Sequence, residues 1–263
     1  MILSMEIIKD KLETVKKYIL EGFSEPLKED NLKNFIAGKS KMIRSSLALL
    51  WLKTNNAELS EDIYKVLAAG EIIHNASLLH DDVVDNSEKR RGDKTIAKIF
   101  TPQISILAGD YLVSLAIEKL MEINNTRILG IFKECAKNMA LTEIEQYFLR
   151  NQKPDIDTYI KICKGKTANL FSAIMESSAI ISGTNIAEAR TLGELFGICF
   201  QIKNDSDEES ACTDKKNGIF TAKDILGIEK TLTLLDNYRG KLIKIIANLP
   251  NNEYKRALED LIR

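Results

Sequence analysis

The chain has 263 residues, of which 44% are hydrophobic and 29% charged, and its formal net charge is −1. This length allows one large domain or two small ones, and the near-neutral charge argues against a nucleic-acid binder. No apolar run approaches the roughly 18 residues of a membrane-spanning helix, and acids interrupt the apolar N-terminus, so neither a membrane span nor a signal peptide is expected.

Composition also bears on fold and compartment. Four prolines, thirteen glycines and abundant Leu, Ile, Lys, Glu and Ala favour helices. The cysteines have no C-x-x-C spacing, which disfavours a zinc site and fits reduced thiols in a cytoplasmic protein. They are Cys135, Cys163, Cys199 and Cys212.

The first part of the chain predicts two helices separated by a basic turn. Apolar spacing predicts an amphipathic helix over 5–23, and a hydrophobic helix begins after A-G-K-S-K-M-I-R-S. Lys41 and Arg44 are three residues apart and face the same way, with Lys39 just before them. Bases at a helix start oppose the helix dipole unless an anion binds there. From this stretch alone, anion binding and a solvated helix start are equally favoured.

A long helix over 60–86, with Ser60 as its N-cap, carries three acids near its end. The spacing of Asp81, Asp82 and Asp85 places three carboxylates on one helix face. Two carboxylates about 5 Å apart repel by roughly 3 kcal/mol at an effective dielectric near 20, so solvent, bases or cations must compensate. Oxygen ligands at this spacing suit Mg²⁺ completed by substrate phosphates. The alternative is a solvated acidic face, which the apolar neighbours of these acids make weaker.

The remaining segments also predict helices, with no strand-period segment, repeat or linker. After Lys215 a K-N-G turn precedes two or three amphipathic helices, and Pro250 separates the last. The sequence therefore predicts one all-α bundle over 1–263. In chain order the intervening helices are expected over 94–100, 102–123, 126–150, 155–182 (ending at Gly183) and 186–209.

Two of these later helices carry polar groups at suggestive positions. In K-G-K-T, Lys166 and Thr167 could reach a phosphate, although mid-helix lysines are usually solvated. At the end of the helix over 186–209 the acids repeat the spacing of the first group, with Gln201 one turn earlier. A solvated acidic helix end is the stronger alternative there. The residues of this second group are Asn204, Asp205 and Glu208.

From about residue 38 to 221 the chain resembles the trans-type isoprenyl diphosphate synthases, the polyprenyl synthetases. L-L-H-D-D-V-V-D, followed by R-R-G, looks like the first aspartate-rich motif of that family. The resemblance implies an all-α helical bundle of the isoprenoid synthase type with a central substrate cavity. It also implies a Mg²⁺-dependent prenyltransferase that joins isopentenyl diphosphate to an allylic diphosphate, and a homodimer.

The resemblance assigns roles residue by residue. Isopentenyl diphosphate would be bound by Lys41, Arg44, His74 and Arg91. The allylic diphosphate would be bound by Arg90, Lys166, Thr167 and Gln201. Metal would be held by Asp81, Asp82, Asp85, Asp205 and Glu208. The catalytic set would be these four aspartates with Lys166. Without the resemblance, His74 would be interpreted as a capped or solvated helix histidine.

The chain departs from the family pattern at several positions. The usual F-Q-x-x-D-D-x-x-D is here F-Q-I-K-N-D-S-D-E, so Asn204 and Glu208 replace two aspartates. Met42 and Ser45 depart from the basic motif, and the lysine-bearing loop after the second motif is reduced to D-K-K-N-G-I-F-T. A weakly active or non-catalytic partner subunit is therefore an alternative. A terpene cyclase is disfavoured, because cyclases bind one diphosphate and need no second basic site.

Small residues below the first motif bear on product length. Ala76 lies five residues before Asp81, roughly 7.5 Å along the helix axis, and Ser77 lies one turn before Asp81. An aromatic side chain at either position would close the cavity, whereas small ones leave it open. A product longer than C15 is therefore expected. Equally favoured is the alternative that these small residues only let helices approach closely.

Overall fold

The computed structural model describes residues 6–25, 29–38, 40–205 and 215–262. Helices account for nearly all of the regular structure in these ranges, which confirms the predicted all-α class. The helices of the first half are α1 (Lys9–Leu20), α2 (Asp30–Lys33), the π-helical turn π1 (Asn34–Gly38), α3 (Ile43–Thr54), α4 (Glu61–Val84), α5 (Ile96–Ile99) and α6 (Pro102–Glu122). Those of the second half are α7 (Thr126–Phe148), α8 (Ile156–Cys163), the turn π2 (Lys164–Ala168), α9 (Asn169–Ser182), α10 (Ile186–Asn204), α11 (Ala222–Leu226), α12 (Ile228–Ala247) and α13 (Glu253–Ile262).

Helix α4 lies at the centre of the fold. It packs most extensively against α6 and also contacts α1, α3 and α9, while α10 packs between α9 and α12. The close approach of α6 depends on Gly109, where a Cβ would strike the ring of His80. Burial on most sides explains why α4 is apolar nearly all round, and it makes each polar residue on this helix expensive to bury without a partner.

Helix ends follow the residues that the sequence pointed to. Ser60 precedes α4, Pro102 is the first residue of α6, and Gly183, with a φ of 69°, ends α9. Two helices differ from the predicted ones. The helix predicted over 155–182 is interrupted by the π-helical turn π2. The helix predicted over 186–209 corresponds to α10, which ends at Asn204 within the described residues.

The expectation of no strands was wrong at one place. Strands β1 (Lys89–Arg90) and β2 (Asp93–Lys94) form a two-residue antiparallel hairpin. Its turn has positive φ at both central residues, 53° at Arg91 and 84° at Gly92, and glycine adopts this region without strain. Alternating hydrophobicity could not predict this hairpin, because its strands are too short and too polar to show any period. Its effect is to turn Arg90 and Arg91 back toward the end of α4.

Within the described ranges, no helix combines the length and the apolar character needed to cross a membrane. This agrees with the absence of a long apolar run in the sequence.

Candidate active site

The three acids of the first motif lie where α4 ends, and two of them meet bases. Asp82 is buried, and its Oδ1 accepts hydrogen bonds from Nε and Nη2 of Arg90 at 2.8 and 2.7 Å. Asp85 caps the helix, and its Oδ1 lies 2.5 Å from Nη2 of Arg150 at the end of α7. Bases therefore compensate the mutual repulsion of these carboxylates. The base that pairs with Asp85 is 65 residues away in the chain.

Burial dominates the electrostatics of this motif. It raises the pKa of Asp82 and Asp85, and that of Asp81 to about 7, against the lowering effect of nearby bases. The second oxygen of Asp82 is buried without a hydrogen-bond partner. Clustered, desolvated carboxylate oxygens with a free acceptor are the donor set that a hard cation such as Mg²⁺ takes. Among the described residues, no group of three or more acid, His or Cys side chains is arranged so that it could hold a metal ion.

Lys166 lies close to Asp81 and Asp85 of the first motif. Its Nζ lies 2.6 Å from a carboxylate oxygen of Glu143 and donates to Oε1 of Gln146 at 2.8 Å. Burial lowers the pKa of Lys166, but the charges of Asp81, Glu143 and Asp85 outweigh burial and raise it. Lys166 is therefore a firmly charged ammonium beside the acids. This placement differs from the solvated lysine that the sequence alone favoured.

The π-helical turn π2 explains why Lys166 and Thr167 point inward. One extra residue in the turn changes the direction of the side chains that follow, and such turns are frequent at functional sites. Helix α10 approaches this turn closely at Gly197, where a Cβ would strike the backbone of Ala168. As a result, the hydroxyl of Thr167 donates to Oε1 of Gln201 at 2.7 Å.

Both carboxylate oxygens of Asp205, from the second acidic group, accept hydrogen bonds from protein donors. Nε2 of Gln201 donates to Oδ1 at 2.7 Å and the hydroxyl of Tyr159 donates to Oδ2 at 2.5 Å. Asp205 is buried, and burial raises its pKa. The neighbouring Asn204 is only half-buried. Glu208 and Asp214 lie outside the described residues, as does Lys39, so the metal-binding prediction for Glu208 stays a prediction.

A small cavity joins these elements. It has a volume of about 130 Å³, and Tyr159, Lys166, Thr167, Gln201 and Asp205 lie in its wall. Four predicted site residues from two separate motifs therefore line one cavity. Its size suits part of a phosphate-bearing ligand but not a prenyl chain.

A second polar region lies around the start of α3 and His74 of α4. Arg44 is buried at the start of α3, its guanidinium lies 4.6 Å from the centre of the Phe171 ring, and its Nε has no hydrogen-bond partner. Burial lowers the pKa of Arg44 to about 10, and burial together with Arg44, Arg91 and Arg90 lowers that of His74 well below its usual value. These bases are thus close enough to repel one another, which an anion would relieve.

A groove of about 450 Å³ lies beside this basic region. Arg90, Arg91, Phe35 and Gly38 are in its wall, and Nη1 of Arg91 donates to the carbonyl oxygen of Phe35. Lys41 is exposed in the turn before α3. The predicted basic residues are therefore distributed over two regions, one at this groove and one at the cavity of Lys166.

The residues predicted to set product length lie outside the walls of both the cavity and the groove. Ala76 is buried, and the hydroxyl of the half-buried Ser77 donates to the carbonyl oxygen of His74. Neither residue lies in the wall of the 130 Å³ cavity or of the groove. The channel and the helix-packing interpretations of these small residues both remain open.

Two features of this site were not predicted from the sequence: a row of polar side chains along α7 and just past its end, and the partner of Asp205. Glu143, Gln146 and Arg150 follow one another at intervals of three and four, so the spacing of one polar helix face could have indicated them. Tyr159 gave no such signal, because an aromatic residue in an amphipathic helix is expected to be core.

Comparison with known proteins places this site in context. The sequence model of a family described as polyprenyl synthetase matches residues 25–259. A short chain isoprenyl diphosphate synthase of Methanocaldococcus jannaschii is 28% identical over 93% of this chain and 82% of its own. An octaprenyl diphosphate synthase of Escherichia coli is 30% identical over 76% of this chain and 64% of its own. A crystal structure of a decaprenyl diphosphate synthase from Rhodobacter capsulatus superimposes with a TM-score of 0.89 at 23% identity, covering 98% of this chain and 96% of that one.

These likenesses bear on the sequence predictions in different ways. The family match and the superposition confirm the resemblance and the isoprenoid synthase type of fold. The names of these relatives describe both short and long products, so they leave the chain length of the product open. Each of the three proteins is named as a synthase, and the alternative of a non-catalytic subunit gains no support from them.

Proposed function

The chain belongs to the polyprenyl synthetase family, and from this premise we propose that it condenses isopentenyl diphosphate with an allylic prenyl diphosphate. The product would be a longer all-trans polyprenyl diphosphate. The single observation that carries the proposal is the presence of two separate basic regions around α4. Arg44 and Arg91 act on His74 in one region, and Lys166 acts on Asp81 and Asp85 in the other. Two diphosphates need two such regions.

Each region suits its proposed ligand for a physical reason. Arginine has a planar fork that binds two phosphate oxygens at once, which fits Arg44 and Arg91 to the isopentenyl diphosphate. Arg90, whose charge acts on both His74 and Asp81, would join Lys166, Thr167 and Gln201 in holding the leaving allylic diphosphate. His74 is neutral because burial and three arginines lower its pKa, so it would contribute a hydrogen bond rather than a charge.

The acids between the two regions would hold Mg²⁺, with Asp81, Asp82 and Asp85 as the main ligands and Asp205 and Glu208 as further ones. When bound, this metal supplies positive charge that neutralises the allylic diphosphate as it leaves. Arg90 and Arg150, which now pair with Asp82 and Asp85, would be released toward the phosphates. By family resemblance the departing diphosphate accepts the proton, so the chain needs no separate general base.

A direct assay tests this function. Purified protein would be incubated with Mg²⁺, labelled isopentenyl diphosphate and geranyl, farnesyl or geranylgeranyl diphosphate, and the extracted products would be sized by chromatography. We expect labelled prenyl diphosphates longer than C15. Folded protein that forms no product with any of the three primers, alone or at high Mg²⁺, would contradict the proposal. Turnover that requires a second polypeptide would favour the partner-subunit alternative instead.

Replacing Ala76 by phenylalanine tests the length of the product. If the elongating chain passes Ala76, the ring blocks its path, and we expect the product to shorten by one isoprene unit or more while the first condensation changes less than about threefold. Ala57→Phe is a matched control at another buried alanine. An unchanged product distribution from folded Ala76→Phe protein would show that this alanine serves helix packing only.

We also propose that the protein is a homodimer. Helices α6 and α7 expose large apolar side chains, which monomeric proteins rarely present in such number. They are Ile104, Ile106, Leu107, Ile117 and Met121 on α6, and Leu141, Ile144, Tyr147 and Phe148 on α7. The proposed cytoplasmic location depends only on the scattered cysteines, of which Cys135, Cys163 and Cys199 are buried free thiols.

Sedimentation velocity tests the dimer. Wild-type protein is expected at twice the chain mass, and Leu107→Glu, at a side chain that is 62% exposed, is expected to sediment as a monomer because the new charge would be buried without a partner. Ile243→Glu on α12, at 59% exposure, is the matched control and should remain dimeric. A monomeric wild-type protein at micromolar concentration would contradict the proposal.

A further inference from the structure

Two buried polar residues of α4 are not used by the proposed reaction. Glu71 and Asn75 are one helical turn apart, with exposures of 1% and 0%. Such residues are retained in a core only when they make specific hydrogen bonds. Both direct their side chains to the π1–α3 segment, here the described residues 36–38 and 40–45, which runs from the end of π1 to the start of α3 and includes Lys41 and Arg44.

Glu71 holds the C-terminal end of this segment. Its Oε1 accepts hydrogen bonds from the backbone N–H of Ser45 at 3.1 Å and from the Ser45 hydroxyl at 2.8 Å. The N–H of Ser45 belongs to the first turn of α3, whose donors have no partner within the helix. A carboxylate at that position also complements the positive end of the helix. Arg44, next to Ser45, is thereby fixed in place.

Asn75 holds the other end of the segment. Its Nδ2 donates to the carbonyl oxygen of Ile36 at 3.2 Å and to that of Glu71 at 2.9 Å. The segment between these two attachments includes Met42, whose φ of 47° places a non-glycine residue in the left-handed region. A strained backbone of this kind persists only when its surroundings impose it.

The arrangement leaves Arg44 available to a ligand. Nε of Arg44 and Oε2 of Glu71 are both buried without a hydrogen-bond partner, and among the described residues Arg44 forms no ion pair. Glu71 thus binds the backbone beside Arg44 rather than its guanidinium. The carboxylate supplies compensating negative charge nearby while the guanidinium remains free to bind an anion.

We propose that Glu71 and Asn75 are positioning residues, which hold the two ends of the π1–α3 segment so that Lys41 and Arg44 meet the isopentenyl diphosphate. This inference rests on the proposed function. Because the two residues support only the region for isopentenyl diphosphate, replacing them should weaken the binding of one substrate and not of the other. Affinity for isopentenyl diphosphate falls while affinity for the allylic diphosphate does not.

The test compares Glu71→Gln, Ser45→Ala and wild-type protein in steady-state kinetics with each substrate varied in turn. For Glu71→Gln we expect the KM for isopentenyl diphosphate to rise about tenfold, because the neutral amide oxygen accepts weaker hydrogen bonds from Ser45 and no longer compensates the charge of Arg44, with the allylic KM within about twofold. Ser45→Ala keeps the backbone bond and should raise the same KM about threefold. Glu61→Gln, an exposed glutamate on the same helix, is the matched control and should change neither value.

The outcomes separate this inference from the proposed function. An unchanged KM for isopentenyl diphosphate in both variants, or an equal rise in both KM values, would overturn it. If Glu71→Gln does not fold, Ser45→Ala alone decides. If wild-type protein forms no product, the proposed function fails, and calorimetric binding of isopentenyl diphosphate to wild type and Glu71→Gln decides the positioning role. Wild-type protein that binds no isopentenyl diphosphate overturns both.

Discussion

Asp81→Asn is expected to lower the rate of product formation by about a thousandfold, which corresponds to the several kcal/mol that a metal-held charge contributes to a transition state. Asp81 lies between the two basic regions and interacts with Lys166 and Arg90. The amide retains the shape of the side chain and one oxygen but carries no negative charge. Metal would therefore bind weakly just where charge develops on the leaving diphosphate.

The same substitution should leave the fold intact. Burial raises the pKa of Asp81 to about 7, so the folded protein already disfavours the charged form of this side chain. Removing the charge relieves that burial cost, and the melting temperature is expected to stay the same or rise slightly. Loss of activity with loss of folding would point to a structural role instead.

Rates and melting curves measured together distinguish these cases. The rate would be followed with labelled isopentenyl diphosphate over a range of Mg²⁺ concentrations, and folding by circular dichroism. Asp62→Asn, in the first turn of the same helix, is the matched control and should keep the wild-type rate. A rate for Asp81→Asn within about tenfold of wild type at all Mg²⁺ concentrations would contradict the role of Asp81 as a metal ligand.

The sequence was most informative where a local pattern determines structure. The spacing of Asp81, Asp82 and Asp85 on a helix, the start of α6 at Pro102 and the end of α9 at Gly183 each depend on residues within a few positions of one another. Periodicity and end signals act over this range, so the helices and the position of the first motif could be predicted.

The contacts that shape the site could not be predicted in this way. Arg150 reaches Asp85 across 65 residues, and Tyr159 reaches Asp205 across 46. Such pairings depend on how α7 and α8 pack against the rest of the bundle, and a single sequence contains no local signal for that. The π-helical turn at Lys166 likewise packs closely against α10, at Gly197, and the residues of the turn contain no local signal that predicts it.

The second acidic group shows how tertiary contacts change the meaning of a motif. The family resemblance assigns a metal-binding role to Asp205, whereas spacing alone favoured a solvated helix end. In the structure both of its oxygens accept hydrogen bonds, from Tyr159 and Gln201, and a metal ion would have to displace a donor to bind there. The half-buried position next to it is Asn204, where the family pattern has an aspartate. An amide oxygen can bind Mg²⁺, but it adds no charge.

Asn204→Asp is therefore expected to increase activity, by about ten- to a hundredfold at limiting Mg²⁺, which equals roughly 1.4 to 2.8 kcal/mol. A new carboxylate at this position would bind the cation without breaking the hydrogen bonds of Asp205. Like charges at the end of α10 would slightly destabilise the protein in the absence of metal. The Mg²⁺ concentration that gives half of the maximal rate should fall, and added Mg²⁺ should raise the melting temperature more than it does for wild type.

Asn248→Asp, at the end of α12, is the matched control and should change neither value. If Asn204→Asp leaves the Mg²⁺ dependence of the rate unchanged, the second group holds no metal in this chain, and the carboxylates of the first motif must hold it alone.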